Sequence, residues 1–158
     1  MVQNTSWVNA EKAILEMEVL ALIDPELLLR ADGNMLKKAI RPARFFNQKA
    51  KSLVAFTEFY LSLKGQTPRR DGLLNVWGIG RETADSILLY AYRVPTFVVD
   101  TYTKRILVSL GLISERIGYD DLRNLFEKSL PPDHIVYQEY HALLVNHGKP
   151  GRIESKKR

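Results

Sequence analysis

The chain has 158 residues, 46% of them apolar, which is enough to bury a hydrophobic core in one domain or two small lobes. Its 23 Lys+Arg against 18 Asp+Glu give a formal net charge of +5, which suits a polyanionic partner. The sequence has no cysteine, and this excludes disulfides, zinc–thiolate sites and cysteine-ligated iron–sulfur clusters. Without a secretory signal or an apolar run of about 18 residues, we expect a cytoplasmic protein with no membrane partner.

The first half of the sequence predicts a succession of short helices. Apolar side chains recur at helical spacing in residues 7–22, and Thr5 or Ser6 is placed to cap the start of this helix. Asp24-Pro25 is typical of an N-cap followed by proline at the first helical position. The next predicted helices are residues 25–29, residues 34–40, which end near Pro42, and residues 44–63, which end near Gly65.

The second half continues in the same way. Its predicted helices cover residues 71–76, 81–92, 101–110, 119–130 and 134–146. Residues 96–99 have β propensity, but a lone strand has no partner to pair with. We therefore predict an all-α domain over residues 1–148, built of short helices packed at varied angles, and a basic tail over residues 149–158.

A glycine-bracketed turn, Gly78-Ile79-Gly80, separates two of these helices. Glycine permits a tight turn and lets another backbone approach closely. A helix that begins near Arg81 directs unpaired N–H groups and its positive dipole end towards whatever lies over the turn. A DNA phosphate would be held there without regard to base sequence. The alternative is an ordinary corner between helices that needs glycine only for packing.

The wider pattern resembles the helix–hairpin–helix and following aspartate of the DNA glycosylase superfamily that includes endonuclease III. The matching positions are Leu74, Val76, Gly78, Ile79, Gly80, Arg81, Thr83, Ala84, Pro95, Thr96, Val99, Asp100, Thr101 and Arg105. Gln3-Asn4-Thr5 is similar to a "QNT" segment of that family, and Tyr140-His141 to part of its last helix. The resemblance implies a multi-helix glycosylase fold, with the helix–hairpin–helix over about residues 71–92, and a partner that is double-stranded DNA carrying a damaged base.

The resemblance makes Asp100 the candidate catalytic residue. Cleavage of an N-glycosidic bond develops positive charge on the sugar, and a carboxylate can stabilise that charge and orient or deprotonate a water. At ~4 Å and an effective dielectric constant of ~20 the attraction is about 4 kcal/mol, or about three decades of rate if it acts only in the transition state. The alternative is that Asp100 caps the helix beginning at Thr101, and the two roles are compatible.

Glu82 departs from the pattern of the bifunctional members of this family. In those members a lysine at this position attacks the sugar as an amine and then cleaves the strand. A glutamate cannot form that Schiff base, although it suits the first turn of a helix. The resemblance therefore implies a monofunctional glycosylase with little or no lyase activity. The Gln-Asn-Thr opening with Trp7 nearby resembles the 3-methyladenine DNA glycosylase branch.

No cofactor or metal is expected. The family's cysteine-rich loop should follow His147-Gly148, where this chain has Lys149-Pro150-Gly151-Arg152 instead. The iron–sulfur cluster of the family is therefore not expected here. His134, His141 and His147 are joined by no acidic cluster, so they do not predict a zinc site.

Base extrusion requires a side chain that fills the vacated stack and a surface on which the flipped base stacks. Gln3 matches the family position that wedges into the duplex, and Asn4 lies beside it. Trp7, Phe45 and Phe46 are candidates for the base pocket, although aromatic residues at helical spacing are more often core. The resemblance assigns DNA backbone contacts to Gly78, Ile79, Gly80, Arg81 and Thr83.

The beginning of the sequence leaves two functions open. In the family an apolar helix precedes the Gln-Asn-Thr segment, whereas only Met1-Val2 stand before Gln3 here. Leaving ~400 Å² of apolar groove exposed would cost about 10 kcal/mol, which self-association or a partner could offset. One hypothesis is a monofunctional DNA glycosylase, favoured by Asp100 and the complete hairpin. The other is a catalytically inactive helix–hairpin–helix module that binds DNA or a protein, favoured by the short beginning and the missing cluster.

Overall fold

The computed structural model describes residues 5–148, and every secondary-structure element in that range is helical. The α-helices are α1 (Trp7–Val19), α2 (Pro25–Arg30), α3 (Gly33–Ala39), α4 (Phe46–Ser62), α5 (Arg70–Leu74), α6 (Arg81–Ser86), α7 (Thr101–Ser109), α8 (Tyr119–Ser129) and α9 (His134–Gly148). A 3₁₀ turn (Arg41–Ala43) precedes α4, and a π-helical turn (Ile87–Ala91) continues α6. The all-α prediction is confirmed. The predicted basic tail, residues 149–158, lies outside the described residues.

Several helices begin where the sequence places a capping side chain. Ser6, and not Thr5, caps α1, with its hydroxyl oxygen 3.3 Å from the backbone nitrogen of Asn9. Asp24 caps α2 by accepting bonds of 2.9 Å from two backbone N–H groups, and Pro25 occupies the first helical position as predicted. Asp100 caps α7, and its role is described with the candidate site.

The predicted helix over residues 81–92 differs from the structure in its second half. After Ser86 the backbone widens into the π-helical turn, where the Tyr92 N–H donates to the Ile87 carbonyl at 3.3 Å. Composition carries no signal for one extra residue per turn, so a sequence pattern does not predict this widening. Residues 96–99 form no regular element and pair with no strand among the described residues, as their isolation in the sequence suggests.

The chain divides between Ile79 and Gly80 into two compact units. In the first unit, helices α1 to α4 pack their apolar faces together, and the core includes Ala13, Met17, Leu22, Leu28, Leu36, Ala39, Ile40, Ala43 and Ala50. In the second unit residues 97–99 pack against α8 and α9, with a core of Leu89, Phe97, Val98, Val99, Leu122 and Tyr137. The prediction of one domain over residues 1–148 stays a prediction.

Aromatic stacking fixes the centre of the second unit. The Phe97 ring lies parallel to that of Phe126, with centroids 4.0 Å apart, and meets Tyr137 edge-on at 5.5 Å. This packing holds the segment that leads into Asp100. In the range from Thr5 to Gly148, no helix has both the length and the apolar character needed to cross a bilayer.

Candidate active site

Asp100 lies at the junction between the buried residues 97–99 and α7. Its Oδ1 atom accepts a 2.7 Å hydrogen bond from the Thr103 N–H and so caps the helix. Its Oδ2 atom lies 3.6 Å from His141 Nε2 on α9, and the Asp100 side chain is 13% exposed. A carboxylate offers about four lone-pair sites, so a substrate or water can still be bound after these two contacts.

The charge state of Asp100 follows from these neighbours. Partial burial by itself raises the pKa of Asp100, but the interactions with His141 and with the Thr103 backbone lower it more. The net pKa lies below the ordinary value of an aspartate. Asp100 is therefore a carboxylate throughout the neutral range, available to stabilise positive charge.

Glu82, in the first turn of α6, is the second acid at this place. Desolvation of its carboxyl group raises the pKa of Glu82, and the charge of Asp100 adds to that effect. Both acids border an open cleft of about 660 Å³ in the second unit, which Lys104, Arg105, Glu115 and Tyr119 also line. This volume lies in the range of roughly 300–1,000 Å³ that is usual for small-molecule sites.

His141 and Tyr90 are residues of this site that the sequence patterns did not assign to it. The Tyr90 hydroxyl lies 2.6 Å from His141 Nδ1, on the side of the ring opposite Asp100. The sequence places His141 in a predicted last helix but does not connect it with Asp100 or Tyr90, because contacts across 41 or 51 positions leave no local pattern. Across residues 5–148, no group of three or more His, Asp or Glu side chains is arranged to hold a metal ion.

A buried polar cluster supports the segment that precedes Asp100. The fully buried Asp85 of α6 accepts a 2.9 Å bond from the Tyr119 hydroxyl, which also lies 3.4 Å from the Val99 nitrogen. On α8, Glu127 accepts from the Phe97 N–H at 2.9 Å. Arg123 lies 3.9 Å from Asp85 and 3.5 Å from Glu127, and its side chain is 16% exposed. The cluster ties α6 and α8 to residues 97–99 and so fixes where α7 begins.

The structure requires glycine at position 78 of the predicted hairpin but not at position 80. Gly78 has φ +81°, and a Cβ atom there would lie 2.7 Å from Ser52 Oγ on α4, so the corner itself requires glycine. Gly80 caps α6 with φ −91°, and a Cβ atom there would meet no described atom within 4 Å. Only Gly78 is therefore explained by packing. The Ile79 N–H donates to the Val76 carbonyl at 3.1 Å and closes the turn.

The other predicted DNA contacts near the corner lie at the start of α6. Arg81 pairs with Asp120 of α8 at 3.1 Å and remains largely exposed, so its guanidinium still faces solvent. Thr83 is half-buried. Gln3 and Asn4 lie outside the described residues. The assignment of DNA contacts stays a prediction for all of these positions.

The three predicted base-pocket aromatics belong to the first unit and differ in exposure. Trp7 begins α1 and is 73% exposed, and Phe45 precedes α4 and is 58% exposed. Phe46 is half-buried and packs partly against the core of that unit. Arg44 and Phe45 both have left-handed φ values, +59° and +46°, which cost energy in non-glycine residues and often mark functional loops. The assignment of a base-stacking role stays a prediction for all three.

Comparisons with known proteins identify the family of the chain. Residues 1–132 match the family described as HhH-GPD superfamily base excision DNA repair protein. A protein of Methanocaldococcus jannaschii named "Putative DNA repair glycosylase MJ1434" is 45% identical over 160 residues, which cover 94% of this chain and 73% of that protein. Endonuclease III of Sulfolobus acidocaldarius is 30% identical over 137 residues, which cover 84% of this chain and 60% of that protein.

A solved structure with the same fold is that of the H. pylori 3-methyladenine DNA glycosylase bound to 1,N6-ethenoadenine. It matches with a TM-score of 0.80 and 26% identity, covering 94% of this chain and 80% of that chain. The family match spans most of the sequence and includes both the glycine corner and Asp100. The chain therefore belongs to the HhH-GPD superfamily of base excision DNA repair proteins.

Proposed function

We propose that this protein is a monofunctional DNA glycosylase, which flips an alkylated, 3-methyladenine-like base out of double-stranded DNA and hydrolyses its N-glycosidic bond. The observation that carries the proposal is the Asp100 carboxylate, which is ionised, held from two elements and placed at the edge of a cleft. Membership of a base excision repair family supports the reaction class.

In the proposed reaction, the bond between C1′ and the base nitrogen breaks and its electron pair leaves with the base. The sugar becomes positively charged, and a water oxygen then adds to C1′ and loses a proton. The lowered pKa of Asp100 favours electrostatic stabilisation and orientation of the water over strong base catalysis, since an efficient general base has a pKa near the working pH. At ~4 Å the stabilisation is about 4 kcal/mol, or roughly a thousandfold in rate.

Two points support an alkylated base: the site has no amine nucleophile, and an alkylated base can be a good leaving group. The family position of the lysine nucleophile is occupied by Glu82, which has no amine to form a Schiff base. An adenine methylated at N3 in a nucleotide is cationic, so it accepts the bond electrons and departs as a neutral molecule without a proton donor. The similarity to a 3-methyladenine DNA glycosylase of known structure supports this substrate class.

The glycine corner is the proposed grip on the DNA strand. Packing does not exclude a side chain at position 80, so the space beside Gly80 supports a close approach of the DNA backbone there. Arg81 would add an exposed positive charge beside that contact. We expect this grip to hold any sequence equally, because it reads phosphate and not base edges.

The test compares Asp100→Asn with Asp24→Asn on duplex oligonucleotides that carry one alkylated base. Both residues cap helices, and asparagine is also a good cap, so both variants keep the cap, and the pair separates loss of charge at the site from loss of charge at a helix cap elsewhere. Under single-turnover conditions, the Asp100 variant should lose about a thousandfold or more of its base release while still binding DNA. The Asp24 variant should retain wild-type release.

Two results would overturn parts of the proposal. Unchanged base release by Asp100→Asn would remove the catalytic role of this carboxylate. Strand breaks that appear without alkali would show lyase chemistry and contradict a monofunctional enzyme. A panel of duplexes, each with a single lesion, identifies the preferred base from the free base released.

A second candidate is a catalytically inactive helix–hairpin–helix module that binds DNA. It is favoured by the low exposure of Asp100 and by its bond to the Thr103 N–H, which a purely structural cap would also show. For this candidate we expect DNA binding that is weakened by substitutions at the corner, with no release of any lesion in the panel.

A further inference from the structure

His141 lies on the face of α9 that packs into the second unit. Tyr137, His141, Leu144 and Gly148 follow one another at spacings of four, three and four residues, which places them on one side of a helix. Tyr137 is 1% exposed, and a Cβ atom at Gly148 would lie 2.6 Å from Tyr102 Cβ on α7. The close approach of α9 to α7 brings the imidazole to the start of α7. An imidazole in this setting needs polar partners, because its ring nitrogens are removed from water.

The two ring nitrogens of His141 have separate partners. Nδ1 lies 2.6 Å from the Tyr90 hydroxyl, and Nε2 lies 3.6 Å from Asp100 Oδ2. Nε2 is buried and has no hydrogen-bond partner at shorter range among the described residues. The Asp100 carboxylate is therefore the nearest polar partner of this buried nitrogen. A small rotation of the ring would shorten the 3.6 Å contact into a hydrogen bond.

The Asp100 carboxylate determines which nitrogen of a neutral His141 carries the proton. An ionised carboxylate only accepts hydrogen bonds, so the ring proton belongs on Nε2, facing Asp100, and Nδ1 is left to accept from the Tyr90 hydroxyl 2.6 Å away. Desolvation of the hydroxyl, followed by the charge of Asp100, raises the pKa of Tyr90, so that this donor keeps its proton. Tyr90 belongs to the π-helical turn, and such turns occur frequently at functional sites.

Two ionisable side chains on neighbouring helices, Glu82 and Lys104, could also affect the charge of Asp100. The carboxylates of Glu82 on α6 and of Asp100 repel each other, and this repulsion contributes to the raised pKa of Glu82. Lys104 of α7 directs its ammonium group to the Ile117 carbonyl at 3.2 Å, so that bond does not serve Asp100. His141 is therefore the side chain that offsets the repulsion between the two acids.

We propose that Tyr90 and His141 are positioning residues: the Tyr90 hydroxyl donates to His141 Nδ1, and His141 Nε2–H holds Asp100 Oδ2. With Oδ1 held by the Thr103 N–H, the carboxylate cannot rotate, and its remaining lone pairs are directed to the reacting sugar. The role in base excision rests on the proposed glycosylase function. The coupling between His141 and Asp100 is a property of the folded protein and can be measured without any reaction.

The first measurement follows the titration of Asp100 in the intact protein by carboxyl ¹³C NMR, with the signal assigned from its loss in Asp100→Asn. We expect its midpoint to move to higher pH in His141→Leu, and to move less in His141→Gln, because a glutamine amide can still donate. His147→Leu, an exposed position on the same helix, is the matched control and should leave the midpoint unchanged. An unchanged midpoint in a folded His141→Leu would overturn the proposal.

The second measurement is the pH profile of single-turnover base release. The acid limb should move to higher pH in His141→Leu and Tyr90→Phe, with a loss of up to about 100-fold where the carboxylate is misplaced. Partial rescue by His141→Gln would separate positioning from a mere packing role. The wild-type protein could release no base while the titration midpoint of Asp100 still shifts in His141→Leu. That outcome would refute the glycosylase function but support the coupling between His141 and Asp100. A profile unmoved by either substitution would refute the positioning role.

Discussion

Tyr119→Phe tests the support beneath Asp100. The substitution removes one oxygen atom, which donates to the fully buried Asp85 at 2.9 Å and lies 3.4 Å from the Val99 nitrogen. A hydrogen bond to a charged group contributes about 1.5–3 kcal/mol, and a longer neutral bond contributes about 0.5–1 kcal/mol. We therefore expect Tyr119→Phe to lower the free energy of unfolding by about 2–4 kcal/mol. At ~3 °C per kcal/mol for a chain of this size, the melting temperature should fall by about 6–12 °C.

The assay is urea and thermal unfolding followed by far-ultraviolet circular dichroism, with Tyr140→Phe as the matched control. Tyr140 is an exposed tyrosine of α9, so its hydroxyl should contribute less than about 0.5 kcal/mol. Val99 directly precedes Asp100, and for this reason base release should fall as well in a Tyr119→Phe protein that is still folded. Equal stabilities of the two variants would refute the view that the buried cluster fixes the segment leading into α7.

Two further predictions concern the corner and the second acid. Gly78→Ala should destabilise the fold by roughly 1–3 kcal/mol, because of its positive φ and the contact with Ser52. Gly80→Ala, at the N-cap of α6, should cost only about 0.5–1 kcal/mol and weaken binding to every DNA sequence alike. Urea unfolding and fluorescence anisotropy with unrelated duplexes check this pair, and a sequence-selective loss would argue against a phosphate grip. Glu82→Gln should raise the melting temperature at pH 7 but not near pH 4. A carboxyl group whose folded-state pKa is raised contributes its stability below the unfolded value and loses it as pH rises through the folded one. An equal effect at both pH values would contradict that sign.

The sequence predicted the helical elements well because their signals are local. Apolar spacing located most helices to within a few residues, and Asp24-Pro25 located the start of α2. The π-helical turn at Ile87–Ala91 was not predicted, since no composition distinguishes it from the helix it continues. The division at Ile79 was not visible either, because it depends on which residues make contacts and not on a linker or a change in composition.

At the candidate site, too, the sequence predicts local features but not contacts between distant residues. Asp100 and Glu82 were found through motif positions close together in sequence. His141 meets Asp100 because α9 packs closely on α7, where Gly148 leaves room for Tyr102, and it meets Tyr90 because α9 also packs on the π-helical turn. No acidic residue pattern accompanies His134, His141 and His147, so the sequence offers no reason to connect His141 with a carboxylate 41 positions earlier.

The capping role of Asp100 does not compete with a chemical one. The Thr103 N–H that Asp100 caps is also one of the groups that lower the pKa of this carboxyl and fix its rotation. For a carboxylate desolvated to the same degree without that bond and without His141, the pKa would be raised above its ordinary value. Partial burial strengthens the attraction between Asp100 and a cationic sugar. The cap and the imidazole lower the pKa of Asp100, so the bonds that hold the carboxyl group also favour its charged form. Asparagine at position 100 would keep the cap and lose only the charge, so this one substitution separates the two roles.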